Sequence, residues 1–499
     1  MRNSRKRRRR RRMTHLFPSG VMCFIAHFHT FSAVKGTKCI REGCKNGNVK
    51  LKRYISYYSL QNQGSLKSVD DETFNLLLSN YKNKNCLNLS VSNNMIPKYL
   101  QEYFMYDLNK NLYFDRKHLK MIENTALSTF NLEPKYWGGV FSVNTTDDCR
   151  SSEIDDYFLL KLFRNFINYK AKIMNISFAL SEEGGKNTES DPNACNIIEN
   201  FYDIIHVRIK DRIDYEEIRK KYEAFKPQLM HIDETNNPYN FNYEFVNNLR
   251  GINKCIVITN MSNKASLISQ NLIPSPFNYS DMVYTYYNEN MRAHNCYIIF
   301  YKKGYKHVDK GGKLIQYEYE KKLKNSFFPN CVNNTIFSLL TSFKLMKNCE
   351  FKEYLSQSQE NTFALFTHVN KNFFSIRYSK NSNFLNLNCR NCIFNVYEFH
   401  ELCKELNIFF DILNPNKYAQ TSFNIGTNYL TSIGLLQNDM KTVAEFINRT
   451  HYLYFSIKRQ IKCSSIEFSQ YLKCNNSEFP DMLSLSNDIY CFITSFPSM

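Results

Sequence analysis

The sequence predicts an α/β protein, and three observations carry that expectation. Ile256-Val257-Ile258 and Tyr297-Ile298-Ile299-Phe300-Tyr301 are short β-branched or aromatic runs bounded by polar, Asn-rich residues, the composition of buried strands. Between them lies Ile273-Pro274-Ser275-Pro276-Phe277, whose prolines exclude helix. Asp214-Tyr215-Glu216-Glu217 is a D-x-x-E capping box that starts a helix, which Pro227 ends just before a further strand at 228–232. Strands that alternate with helical connections build a sheet layered with helices.

The chain has 499 residues, 43% of them hydrophobic, enough for about two packed domains. Its formal net charge of +19 is unevenly spread. Residues 1–69 hold 17 of the 65 Lys+Arg and one of the 46 Asp+Glu, Glu42, which leaves 48 against 45 in the rest. A general nucleic-acid-binding face on the folded body is therefore not indicated, and any such contact is expected from 1–66.

Arg7 to Arg12 is an unbroken basic block, the pattern of a disordered tail. The apolar stretch Gly20 to Val34 and the acid-poor basic stretch to Lys67 follow it, which reads as an organellar presequence. A mitochondrion is the expected destination. A plastid-type leader and a nuclear signal are the alternatives.

Sixteen scattered cysteines form no secreted framework and are expected to be reduced. The CxxC at Cys389 and Cys392 lacks a second pair at zinc spacing, so no metal is expected. No apolar run reaches the length of a membrane span.

In chain order, a basic targeting extension fills 1–66 and an N-terminal helical arm 67–105, opening with an amphipathic helix at Asp70 to Leu77. A large domain is expected over 106–344. In it, Leu119, Ile122, Ala126 and Phe130 mark a helix within 118–132, Trp137 is a packing residue, 172–177 is a strand and 181–195 a polar loop. A smaller domain is expected over 345–499, where Val396, Phe399, Cys403 and Leu406 share one helical face. There is no internal repeat.

The wording of 255–304 is more specific than its pattern. The frame IPSPF…D-x-V…x-R…IFY-x-KG resembles the pyridoxal-phosphate (PLP) segment of serine hydroxymethyltransferases. Other stretches resemble that family in collinear order from about residue 70 to the end. Leu87 to Lys98 is similar to its LIASENFTSK, Glu133 to Gly138 to DPxKWG, and Lys172 to Ser177 to RIMGLD. Phe327-Phe328-Pro329 matches the start of FPSLQGGPHNH, Glu350 to Leu355 is similar to EFKxY, and Ile425 to Gly434 to IGTPALTTRG. The resemblance implies a PLP-dependent aminotransferase-like fold of type I, with a mostly parallel sheet in the large domain and a smaller C-terminal α/β domain. It also implies PLP and tetrahydrofolate chemistry between serine and glycine, with the site lying between two subunits.

The reactive positions of that family are altered here. Glu289 stands at the lysine that forms the imine, and a carboxylate cannot form one. Asn260 replaces the aspartate that keeps the pyridine nitrogen protonated, and Asn263 replaces a nearby histidine. Ile433 replaces the arginine that grips the substrate carboxylate. Asn93 replaces the acid/base glutamate. Thr145, Thr146 and Asp147 stand where the family cups the phosphate, and Asn333 and Asn334 stand at its paired glycines, so these are vestigial contacts at most. Lys264 is considered as a substitute amine, and Arg292 is expected to pair with Glu289. By these residues no cofactor is expected.

Three functions follow as expectations. The first is a non-catalytic family member that acts as a structural or regulatory partner, as a homodimer or a heteromer with an active member. The second is an active serine (glycine) hydroxymethyltransferase. The third is an RNA-binding or scaffold protein working through the basic extension.

Overall fold

The computed structural model describes residues 70–75, 86–95, 97, 116–143, 152–178, 197–250, 255–293, 296–308, 311–327, 334–391, 394–411, 422–460, 468, 470–472 and 479–496. The expected readings at Thr145, Thr146, Asp147, Asn333, Cys392, the extension 1–66 and the loop 181–195 lie outside these residues. The chain divides into two compact units, Met1–Lys82 and Asn83–Met499. In the first, 71–75 are helical, and the Asp70 carboxylate caps them by accepting from the Thr73 N–H at 2.9 Å.

The second unit begins with β1 (Leu87–Asn88), α1 (Arg116–Thr129), β2 (Trp137–Val143), α2 (Ser152–Phe163), β3 (Lys172–Phe178), β4 (Asp203–Ile209), α3 (Tyr215–Phe225) and β5 (Leu229–Asp233). It continues through α4 (Tyr243–Arg250), β6 (Ile256–Asn260), α5 (Ala265–Ser269), β7 (Met282–Tyr287), β8 (Cys296–Lys302), β9 (Tyr305–Val308), β10 (Leu314–Gln316) and α6 (Tyr319–Ser326). The last elements are α7 (Asn334–Met346), α8 (Cys349–His368), β11 (Phe374–Arg377), β12 (Phe384–Cys389), α9 (Val396–Glu405), β13 (Ile408–Phe409), β14 (Ser422–Gly426), α10 (Asn428–Ser432), α11 (Asp439–Gln460) and α12 (Pro480–Thr494). Two short 3-10 turns, Ile197–Asn200 and Glu289–Met291, precede β4 and β8.

A seven-stranded sheet in the order β2-β8-β7-β6-β5-β3-β4 is the framework. Strands β4, β3, β5, β6 and β7 pair parallel, and β8 runs against both of its neighbours, so the sheet is mostly parallel as expected. The run read as a strand at 297–301 is the centre of β8, and every residue from Cys296 to Tyr301 is buried, as a strand covered on both faces requires. Helix α3 starts where its capping box put it: Asp214 accepts from the N–H groups of Glu216 (3.1 Å) and Glu217 (3.0 Å). It ends at Lys226, in the left-handed region at φ 51°, just before Pro227.

The Ile273-Pro274-Ser275-Pro276-Phe277 turn works by delivering Phe277. Its ring packs on Trp137 (5.3 Å between centroids), Phe300 (5.5 Å) and Phe130 (5.7 Å), tying α1, β2 and β8 together. Trp137 is thus a packing residue. Gly138 lies opposite Tyr301 in the β2–β8 pair, and a Cβ there would come within 2.5 Å of the tyrosine ring.

A second, three-stranded antiparallel sheet, β11-β12-β14, packs one face against α8, α9 and α11 in a core that includes Leu385, Leu387, Phe423, Phe399 and Tyr454. One expectation is corrected here. Residues 67–105 do not form a single helical arm, because 86–95 are strand and turn. Leu87 and Leu89 alternate inward with period two, and their N–H groups donate to Asn407 and Phe409 carbonyls, pairing β1 parallel to β13. Tertiary pairing therefore takes the segment from helix to strand.

Candidate functional site

The described positions among those singled out from sequence fall in two groups, one at the C-terminal end of β6 and one where the 89–95 segment, the Glu289–Met291 turn and α10 meet. The first group is the end of β6. Asn260 is buried, and each polar atom of its amide is used within the protein. Its Nδ2 donates to Asp233 Oδ1 (3.1 Å) and Thr235 Oγ1 (2.7 Å), while its Oδ1 accepts from Ser262 N (3.0 Å) and Ser262 Oγ (2.6 Å). Asn263 turns the chain at φ 64°, a conformation asparagine tolerates, and donates from Nδ2 to the Thr235 carbonyl at 3.2 Å.

Lys264 follows. Its ammonium is buried and donates to Glu234 Oε2 (2.5 Å) and to the Tyr239 carbonyl (2.7 Å), and Asn237 holds the other carboxylate oxygen at 2.9 Å. With side-chain exposures of 5% and 1%, this ion pair is closed off from water, and the amine considered as a substitute nucleophile is committed to a structural partner.

The second group joins the 89–95 segment, the 3-10 turn Glu289–Met291 and α10. The Asn290 N–H donates to the Ser92 carbonyl (3.2 Å), which sets Glu289's turn beside Asn93. Asn93 is half-buried and donates its N–H to Ser90 Oγ at 3.2 Å. Arg292, at φ 61°, is held on three sides. It donates to the Met95 carbonyl and to Ser432 Oγ (2.7 Å), and its guanidinium lies 5.1 Å from the Tyr354 ring centroid. Ser432 in turn donates to Asn94 Oδ1 (2.6 Å), Asn94 donates to the Tyr354 hydroxyl (2.8 Å), and Tyr354 donates to the Asn428 carbonyl (3.0 Å). Burial pushes the Tyr354 phenol up, with Arg292 opposing. The expected pairing of Arg292 with Glu289 is not among these contacts. The Glu289 side chain lies outside the described residues, and that expectation lies outside them with it.

Ile433 packs against the C-terminal hydrophobic core, next to the serine that Arg292 grips. At the end of β7, three residues before Glu289, the Tyr286 N–H donates to Ser262 Oγ at 2.8 Å. Asn334 opens α7, and nothing is described of its side chain.

A carboxylate missed by sequence reasoning positions the 89–95 segment. Asp411 Oδ2 accepts from Ser90 Oγ (2.6 Å), Val91 N (3.0 Å), Ser92 Oγ (3.1 Å) and Ser92 N (3.3 Å). The same segment explains the glycine of Ile425-Gly426-Thr427. A Cβ on Gly426 would meet Val91 Cα at 3.1 Å and the Ser90 carbonyl at 3.3 Å. Asp411, Asn94 and Ser432 carry no spacing signal that distinguishes them, since their partners lie hundreds of residues away in sequence.

Among the described residues, the polar groups at the end of β6 are committed to protein partners: Asn260 is an amide whose atoms are all satisfied internally, and the nearby Lys264 ammonium is locked to Glu234. Among the described residues no cluster of His, Cys, Asp and Glu fits a metal ion.

A sequence profile described as serine hydroxymethyltransferase matches residues 80–447. Over 403 residues the chain is 21% identical to the cytosolic serine hydroxymethyltransferase of Candida albicans, covering 78% of this chain and 83% of that protein. It is 25% identical over 356 residues to the cytosolic serine hydroxymethyltransferase of Neurospora crassa, covering 67% and 72%. It is 26% identical over 263 residues to serine hydroxymethyltransferase 5 of Arabidopsis thaliana, covering 50% and 55%.

Proposed function

Because the chain belongs to the serine hydroxymethyltransferase family of one-carbon metabolism, we propose that it keeps the family scaffold without the family chemistry. It acts as a structural or regulatory partner of an active member in an organelle. The observation that carries this reading is Glu289 at the lysine position. The reaction needs an amine there to form the imine, and a carboxylate adds negative charge beside a cofactor that already carries phosphate and phenolate. Asn93, Asn260 and Ile433 extend the same argument to proton transfer, electron withdrawal and substrate binding, so one reversion does not restore function. The relatives' names favour an active enzyme as the second reading.

One assay separates the two. The purified full-length chain is titrated with PLP, reduced with borohydride and mapped for lysine adducts, with an active family member as control. No imine absorbance and no adduct are expected, and Glu289→Lys alone is expected to leave hydroxymethyl transfer absent. A trapped adduct on any lysine of the wild-type chain overturns the reading. The partner role is checked by affinity purification of the tagged chain from its own cells. An active family member is expected with it, and a lone monomer counts against the proposal. A fusion of residues 1–69 to a fluorescent reporter tests the organelle, with mitochondrial import the expected result.

A further inference from the structure

A row of polar side chains crosses one face of the main sheet. His206 on the edge strand β4, Asn175 on β3 and His231 on β5 are register partners, so they share one face. His206 Nε2 lies 3.0 Å from Glu199 Oε1, and its Nδ1 lies 3.3 Å from Asn175 Nδ2. Asn175 Oδ1 lies 2.9 Å from His231 Nδ1, and His231 Nε2 lies 3.0 Å from the Tyr284 hydroxyl, reached across β6. The outer end is wet, with His206 and Glu199 side chains 28% and 52% exposed, while His231 and Tyr284 are each 3% exposed.

The chemistry of each atom fixes the direction of every bond. Glu199 only accepts, so neutral His206 carries its proton on Nε2 and accepts at Nδ1 from the Asn175 amide. Asn175 Oδ1 then accepts from His231 Nδ1–H, which leaves His231 Nε2 to accept from the Tyr284 hydroxyl. All four links point outward, from Tyr284 toward Glu199.

We propose that this row is a proton-operated switch: protonation of His206 at the sheet edge reverses the hydrogen bonds through to Tyr284. His206 takes one proton from water on Nδ1, which then faces a second donor, the Asn175 amide nitrogen. The Asn175 amide turns half a revolution and offers Oδ1 to His206 and Nδ2 to His231. During a transient local opening of the sheet edge His231 gives its Nδ1 proton to water and takes one from water on Nε2, with no net change in its charge, and the Tyr284 hydroxyl rotates about its C–O bond so that its oxygen accepts from Nε2.

The surroundings favour a tautomeric response over a second ionisation. Burial holds the His231 imidazole below its ordinary range, with Asp233 acting more weakly the other way. The ring is otherwise faced by the edge of Phe163 from α2. Around His206 the charged groups are Glu199, Arg208 two residues along β4, and Lys221 of α3. Lys221 donates to the His206 carbonyl (3.1 Å) and pairs with Glu217 (2.7 Å). Asp233, two residues beyond His231 on the same side of β5, holds the Asn260 amide, so the inner end of the row lies directly below the strand-end cluster. The switch thus carries a surface pH signal to the floor of the candidate site, whether or not that site is catalytic.

The experiment is a pH titration from 8 to 5, where histidine side chains change charge. It follows side-chain nitrogen NMR of the full-length chain labelled with 15N-histidine and assigned through single histidine replacements. His231 is expected as the Nδ1–H tautomer at pH 8, converting to Nε2–H with the same midpoint at which His206 becomes charged. In Asn175→Ala, His206 still titrates and His231 no longer follows. Nε2–H at pH 8, signals of His231 that stay flat through the His206 midpoint, or a switch that survives Asn175→Ala each overturn the proposal. The wild-type titration decides by itself if the variant fails to fold.

Discussion

Lys264 shows how a residue near reactive positions becomes structural. Its ammonium sits at hydrogen-bond distance from Glu234 and from the Tyr239 carbonyl, with both charged groups nearly free of water contact. Removing one partner of a buried pair typically costs roughly 3–5 kcal/mol, because the other charge is left without compensation. Lys264→Met is therefore expected to lower unfolding free energy in urea by about that amount. Glu234→Leu/Lys264→Met, which removes both charges, is expected to recover a large part of the loss. A single variant within about 1 kcal/mol of wild type argues that the pair is open to solvent in solution. The sequence made Lys264 visible only as a lysine next to Asn263. Its partner lies 30 residues away, and no spacing rule links a residue at one strand end to a residue beyond the next. Expectations at Glu289 and Asn260 could be formed from sequence because recognisable neighbours frame those positions. The contacts that hold Arg292, through Ser432 and Asn94, could not be read there, because they depend on how separated segments meet.

At the scale of elements, α11 carries a histidine whose cost appears on acidification. His451 lies over Phe373 with ring centroids 4.3 Å apart and its Nε2 3.6 Å from Cys389 Sγ, while its Nδ1 is buried without a hydrogen-bond partner. Burial lowers its pKa to about 4. Burial also raises the Cys389 thiol to about 11, so both groups stay neutral at neutral pH and the contact is not an activated nucleophile. The unfolded chain protonates this histidine near pH 6.5 and the folded chain does not until about 4. Stability is thus full above pH 6.5 and falls as pH drops from 6.5 toward 4. At about 1.4 kcal/mol per unit the ceiling is roughly 3 kcal/mol, and partial solvent access reduces it to roughly 1–2. His400, lowered to about 4 chiefly by burial, adds a slope of the same sign. His451→Phe is expected to flatten the pH dependence of the thermal midpoint between 6.5 and 4, and an unchanged slope would remove His451 from the account. Elements whose pattern is local, such as α3 with its cap and β8 with its unbroken apolar run, were readable from sequence. The 86–95 segment was not, since its two-residue strand exists only because β13 is there to pair with it.

For the molecule as a whole, collinear short frames carried the architecture into the sequence reading, and charge remains the property least tied to the fold. Residues 1–66 hold 16 Lys+Arg and one acid, so removing them takes the formal charge from +19 to +4. In the described part of the second unit, many cations already have acids beside them. Lys221 lies 2.7 Å from Glu217, Lys404 2.7 Å from Glu401, Lys458 2.6 Å from Glu398, and Arg250 2.6 Å from buried Asp281. Interspersed signs of this kind produce little long-range field, whereas a run such as Arg7 to Arg12 produces a strong local one. The full chain is expected to bind single-stranded RNA without sequence preference, and to lose roughly 3 × 10² to 10⁴ in affinity between 50 and 200 mM salt if six to ten phosphates are neutralised. A chain beginning at residue 67 is expected to show neither the binding nor the salt slope. Fluorescence anisotropy with one labelled oligonucleotide, read at several salt concentrations for both chains, measures each quantity. An equal slope in the truncated chain would move the nucleic-acid contact onto the folded body, where the paired cations above would have to exchange their carboxylates for phosphates.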